Sequence, residues 1–314
     1  MRFRRGLATF AAAVTAMVPA VVLPAAVPAS ADEVNARYNV WTWNVAGWKM
    51  HRGATGNGLI TALANSIRNR HADFAALNEL CRSQYKAVQS NLRASGWPTD
   101  VENFSRFQEH NSTACNGEPF GLAIFSRQPM GPAARFPLAP DGSLERRQLL
   151  CAPLEARPHL RFCTTHITPS NDVIGGVKIN ERQLGEVLTV LENYHAAGDT
   201  VIIAGDFNAQ PDYGRMNPWY SRNLNVPLNG GNRGDYRELD DTHADSPGYG
   251  ETTVAAGDTS GPGGQGKKID MIFVRENRIV GTYTGDSLSI STACGGACSD
   301  HRILIGTVTV RVTT

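Results

Sequence analysis

Hydrophobic positions in this chain recur with two different periods, and the switching between them sets out its elements. Residues 37–45, rich in apolar and aromatic side chains, read as a strand. Across 57–70, Leu59, Ile60, Leu63, Ala64 and Ile67 fall at helical spacing. Residues 73–80 read as a short strand ending in Glu79, 82–95 as a second helix, and 120–126 as a buried strand. Residues 146–154 and 159–167 read as two strands joined by a turn at Glu155-Ala156-Arg157-Pro158. A third helix spans 179–195, with Leu184, Val187, Leu188 and Leu191 on one face. Strands follow at 200–204 and 269–274, and 302–313 alternates like a closing strand. Helices and strands interleave, yet hairpins occur too, so the pattern predicts a mixed α/β chain rather than a purely parallel sheet. Residues 210–267, rich in Gly, Asp, Asn and Pro, read as one long polar loop, of the length that is usually functional or mobile.

The first 31 residues read as an export leader. Arg2, Arg4 and Arg5 precede an apolar stretch, and Ala29-Ser30-Ala31 has the small residues of a cleavage site. Pro19 and Pro24 interrupt the apolar run, which argues against a membrane anchor. Residues 32–314 carry no second apolar span and no convincing domain boundary, and read as one domain expected to be secreted, monomeric and free of stable membrane association. Without the leader's three arginines, the 30 basic residues fall to 27 against 29 acidic ones. A polyanion partner would therefore be held by local cations and a metal, not by a global field. The 6 cysteines all lie in the exported part, where oxidation is expected. A hairpin centred on Arg157 sets Cys151 opposite Cys163. Cys294 and Cys298 close a small glycine loop, and Cys81 and Cys115 remain to pair. A structural zinc site is the rival, but the spacing fits zinc poorly.

Carboxylates, amides and imidazoles stand at the strand ends. Asp206 and Asn208 follow the apolar run 201–204 and alternate onto one side, where together they can hold a phosphate, a water or a metal shell. Glu79 and Asn44 end two other strands and offer oxygen to a hard cation such as magnesium, which takes few carboxylates and keeps several waters. His166 and His301 suit paired general acid and base roles. Asp270 lies inside a strand, where an unpaired carboxylate is costly, so a histidine partner is expected. Arg147 can pair bidentately with phosphate, whereas Arg146, Lys267 and Lys268 read as solubility charge at strand ends. Trp41, Trp43 and Trp48 cluster near Asn44, with core packing and base stacking both open. His243 and Asp245 read as surface residues. There is no Gly-x-Ser-x-Gly elbow, Walker loop, dinucleotide fingerprint or His-Glu-x-x-His motif. No exposed apolar hairpin for membrane contact is evident.

Taken in order, Trp43-Asn44-Val45, Glu79, Gly205-Asp206-Phe207-Asn208, Ile269-Asp270-x-Ile272-Phe273 and Ser299-Asp300-His301 resemble the endonuclease/exonuclease/phosphatase superfamily across the whole exported chain. The resemblance implies two packed mixed β-sheets flanked by helices, the deoxyribonuclease I-like four-layer sandwich, and metal-dependent phosphoester hydrolysis. It implies that Glu79 is the main magnesium ligand with Asn44 beside it. Manganese and calcium are alternatives. Asp206 and Asn208 would hold phosphate or water, Asp270 would orient His301 as base, and Asp300 would support the metal or phosphate geometry. His166 stands where apurinic-site endonucleases of this superfamily carry tyrosine. His166-Ile167-Thr168-Pro169-Ser170 is similar to the pancreatic-type deoxyribonuclease pattern, in which Arg147 falls at a phosphate-binding position. One departure is that no glutamate matches the residue that orients the first histidine in those enzymes. The implied function is a secreted endonuclease acting on DNA, and on RNA as well in one version of the reading. A sphingomyelin or phosphoinositide phosphodiesterase on the same centre is the alternative, and a catalytically inactive binding or toxin-partner protein the further one.

Overall fold

A computed structural model describes residues 32–314, and the leader expected at 1–31 lies outside them. The chain runs β1 (Glu33–Asn44), α1 (Leu59–Asn69), β2 (Phe74–Cys81), α2 (Arg82–Ala94), β3 (Ser105–Cys115), β4 (Glu118–Ser126), β5 (Ala134–Pro137), β6 (Gln148–Leu154) and β7 (Arg157–His166). It continues through β8 (Val173–Ile174), β9 (Val177–Lys178), α3 (Ile179–Ala196), β10 (Thr200–Asp206), β11 (Tyr236–Glu238), β12 (Asp270–Arg275), β13 (Thr284–Leu288) and β14 (Ile303–Thr313). Two six-stranded sheets form, in the orders β13-β14-β1-β2-β4-β3 and β11-β12-β10-β7-β6-β5. They pack face to face through Val40, Phe74, Ile124, Phe162, Ile202, Ile272 and Leu304. Trp41, Trp43 and Phe125 turn to the other face of the first sheet, under α1 and α2. Ile203, Phe207 and Phe273 do the same for the second sheet, under α3. The result is the four-layer deoxyribonuclease I-like sandwich. Interior strands bury both faces, which is why their sequences read as unbroken apolar runs.

The interior strands are the ones legible in the sequence. Those missed in the two large sheets, β3, β5, β11 and β13, are their four edges, and the small β8–β9 hairpin was missed as well. Edge strands are short or polar, so they lack a periodic signal; β3 reads Ser-Arg-Phe-Gln-Glu-His-Asn-Ser-Thr-Ala-Cys.

Residues 210–267 are not one polar loop. They contribute β11 and bury Trp219, Tyr220, Tyr236, Leu239 and Tyr249. Lys268 is not a solubility charge either: it is fully buried, 3.0 Å from Asp240 and 3.4 Å from Glu238. Lys267 does reach solvent, pairing with Asp258 at 3.3 Å. Arg146 is exposed, as are Asp245 and, in part, His243.

The cysteines pair as Cys81–Cys115, Cys151–Cys163 and Cys294–Cys298. Cys151 and Cys163 face each other in the β6–β7 ladder. Among the described residues no helix is long and apolar enough to cross a membrane.

Two parallel pairings position the site. β1 runs parallel to β2 with Asn44 opposite Asn78, and β7 runs parallel to β10 with His166 opposite Asp206. Four chain segments therefore end together at one rim of the sandwich. Antiparallel β12 brings Asp270 opposite Asp206, and His301 stands just before β14.

Candidate active site

Asp206 is the hub. It is buried; its Oδ1 accepts from the Asn208 amide at 2.9 Å and its Oδ2 from Asn44 Nδ2 at 3.1 Å. The Nε2 atoms of His166 and His301 lie 3.4 and 3.9 Å from that Oδ2. Burial first, and the nearby Asp270 charge second, push the Asp206 carboxyl upward. Gly205 is required here, because a Cβ would stand 2.3 Å from the Thr165 carbonyl on the parallel neighbour.

Asn78 clasps the two sheets. Its Oδ1 accepts from the Asp206 backbone at 2.9 Å while its Nδ2 donates to the Thr165 carbonyl at 3.2 Å. The residue after it, Glu79, has φ 58°, and Asn208 has φ 46°. Ala46, two residues beyond Asn44, shares this left-handed region at φ 46°, a conformation that costs energy for residues other than glycine.

His301 is paired with Asp270, Nδ1 donating to Oδ2 at 2.8 Å. The strand that carries Asp270 is pinned by Thr253, whose Oγ1 accepts from both the Ile269 and Asp270 amides at 3.0 Å. Ser299 holds the histidine's backbone, accepting from the His301 amide at 3.0 Å while donating to the Asn44 carbonyl at 2.7 Å. Burial opposes a charge on the imidazole, but Asp270, Asp206 and Asp300 outweigh it and push the group up to about 10. A cation bound to these carboxylates would release that hold.

Asn44 sits beside Glu79 but does not offer the neutral oxygen expected of it. Its Oδ1 accepts from the Ala46 amide at 3.1 Å, so its Nδ2 faces the acids and donates to Glu79 Oε1 at 3.0 Å. Asn44 thus bridges Glu79 and Asp206 through N–H groups. Asp300 is capped by Lys49, 2.6 Å away, a cation that the sequence reading did not single out. Asn208 donates its Nδ2 to the Ile167 carbonyl at 2.8 Å, leaving its side-chain oxygen for substrate or water. Arg215, also missed, donates to the Asn208 carbonyl at 3.1 Å.

No orienting glutamate could be matched in sequence; the carboxylate that the fold places beside His166 Nδ1 is Glu145, in the stretch before β6. Its Oε1 lies 3.4 Å from His166 Nδ1, a charge contact not aligned as a hydrogen bond. The same oxygen accepts from His110 Nδ1 at 3.3 Å and pairs with Arg147 Nη1 at 3.0 Å. Burial alone would raise the Glu145 carboxyl, but His110, His166 and Arg147 hold it well below the usual carboxylate range. His110 is fully buried, and burial lowers its affinity for a proton. The only signal for this cluster in sequence was Glu145 two residues before Arg147, and an acidic residue beside an arginine is too common to read. Glu145→Gln is expected to lower kcat on the order of 10²-fold, since an orienting group carries part of the His166 contribution. Steady-state kinetics on the folded variant would check it, with the melting temperature followed in parallel because Arg147 loses a partner charge.

The family identification follows from this geometry and from comparison. Residues 41–301 match the endonuclease/exonuclease/phosphatase family, and the chain belongs to it. No curated protein matches closely enough to count as a relative. Among solved structures, the catalytic domain of human nocturnin with a bound sulfate anion is similar at TM-score 0.62 and 16% identity, covering 90% of this chain and 97% of that one. D. rerio TDP2 complexed with single strand DNA product is similar at TM-score 0.56 and 17% identity, covering 87% and 98%. An endonuclease/exonuclease/phosphatase from Beutenbergia cavernae DSM 12333 is similar at TM-score 0.58 and 20% identity, covering 87% and 72%. At these identities the likeness shows the fold. The family makes the chain a hydrolase of the phosphoester type.

Proposed function

We propose that this protein is a secreted, divalent-metal-dependent phosphodiesterase whose substrate is nucleic acid, DNA foremost. One observation carries the reading: two histidines, each beside its own carboxylate, converge on buried Asp206 at the rim where Glu79 also ends. The donors suit a hard cation: Asp206, Asp270 and His301 each offer a ligand atom within 4.8 Å of one another, Asp270 Oδ1 is buried without a hydrogen-bond partner, and Glu79 is joined to Asp206 through Asn44. Bound there, magnesium or manganese would neutralise charge on the phosphate. Asp270 holds the His301 ring so that Nε2 faces the reacting centre and takes a proton from water. His166, oriented by Glu145, stands on the other side of Asp206 to serve the leaving oxygen. Arg147, Lys49 and Arg215 are the local cations for a polyanion that the near-neutral chain does not otherwise attract. The three disulfides are consistent with an extracellular protein, and D. rerio TDP2, solved with a single strand DNA product, supports a nucleic acid as substrate.

The test is plasmid nicking by the oxidised protein from Asp32 onward. Activity with magnesium, its loss in EDTA and its return on adding back metal are expected. Metal-independent cleavage would overturn the reading.

A second reading is favoured by a feature not evident in the sequence. The β8–β9 hairpin exposes Val173, Ile174 and Val177 three residues beyond Ser170. An apolar hairpin at the rim suits contact with a lipid surface, so sphingomyelin and phosphoinositides belong in the same screen.

A further inference from the structure

Beside the catalytic centre lies a cleft of about 620 Å³, lined by Trp48, Phe120, Asn111, Arg147 and Thr168 among others. Glu145 and Arg147 belong to both places: they line the cleft, and Glu145 also touches His166. The cleft therefore adjoins the carboxylate that contacts His166 Nδ1, while Nε2 of the same ring faces Asp206.

The cleft is built. Trp48 and Ala114 pack against Phe120 and the Cys81–Cys115 disulfide. Cys81 lies two residues beyond Glu79, so the aromatic wall is fastened to the strand that carries the expected metal ligand. The Arg52 guanidinium stands over the Trp48 ring at 5.3 Å and steadies the indole. At the floor, Arg147 is only 8% exposed, and its Nε and Nη1 have no aligned hydrogen-bond acceptor.

Its chemistry selects the occupant. Asp141 and Glu145 face the one guanidinium, so the cleft lacks the positive charge that a second phosphate would need. A hydrocarbon chain would lie against the charged Asp141, Glu145 and Arg147 and leave the Arg147 Nε and Nη1 donors unanswered. A nucleobase offers a flat face to the aromatic wall and a polar edge to those groups. We propose that the cleft receives the base of a nucleotide flanking the scissile phosphate. A base enters such a concavity only after leaving its stack, so the enzyme prefers single-stranded or frayed nucleic acid to intact duplex. The proposal rests on the phosphodiesterase reading above.

The experiment uses the oxidised protein with magnesium and three oligonucleotides of one sequence: single-stranded, duplex, and single-stranded with one abasic nucleotide stepped along the chain. The expected result is single-stranded cleavage at least ~10-fold faster in kcat/KM than duplex, with an abasic site on one side of the scissile bond costing ~10-fold at that bond. Trp48→Ala should erase the abasic penalty, and the scan on the wild-type protein stands even if that variant fails to fold. Equal rates on all three oligonucleotides overturn the base subsite while leaving the nuclease reading intact. Cleavage of sphingomyelin or phosphoinositide vesicles with every oligonucleotide untouched overturns both.

Discussion

His301→Ala is expected to lower kcat by ~10³-fold, within the range that positioned acid and base groups contribute. The histidine is the best-supported group at the rim. Asp270 fixes its ring at 2.8 Å, and its side chain keeps 12% exposure toward the site. The alanine variant also strips the buried Asp270 of its partner, so a stability loss of about 1–3 kcal/mol accompanies it. His301→Gln separates the two effects. An amide N–H can still reach Asp270, yet the side chain has no proton-accepting nitrogen. Activity should therefore fall as far in the glutamine variant while the melting temperature recovers toward wild type. Turnover near wild type in either purified variant would remove His301 from the chemistry. Asp206→Ala is expected to be equally inactive, because both histidines and Asn44 converge on that carboxylate.

Lys268→Met is expected to cost about 3–5 kcal/mol of stability, the cost of breaking a buried ion pair from one side. Lys268 is fully buried and answers two carboxylates, Asp240 at 3.0 Å and Glu238 at 3.4 Å. Burial opposes its charge, but Asp240 and Glu238 hold it in the ammonium form, above its ordinary value. Burial pushes the Glu238 carboxyl up to about 8 even with the lysine present. With the ammonium gone, two acids would be left in a dry site. Urea unfolding of wild type, Lys268→Met and Lys268→Arg would check this, the arginine variant retaining most of the stability. A methionine variant as stable as wild type would show that the cluster is dispensable.

Much of this molecule was legible from local pattern. The eight interior strands and three helices announce themselves because each buries one or two faces, and burial writes a period into the sequence. The motifs at the ends of β1, β2, β7 and β10 were legible for a related reason: polar residues that close an apolar run stand out. The edge strands did not stand out, because a half-solvated ladder tolerates polar residues on both sides. The segment 210–267 misled, since scattered aromatics without a period, such as Trp219, Tyr220 and Tyr249, bury as deeply as periodic ones.

The sequence by itself determined the class of fold and which polar residues close the interior strands, since these depend on residue type and on spacing within single elements. Tertiary structure alone decided who faces whom. It put Glu145 and His110 beside His166, turned Asn44 so that its N–H groups bridge two acids, placed Lys49 on Asp300 and sank Lys268 between Glu238 and Asp240. It also set Trp48 against a disulfide beside the candidate site. Such pairings join segments far apart in the chain. They are fixed by which strands run parallel and where the loops between them return, and no periodicity within a segment records that.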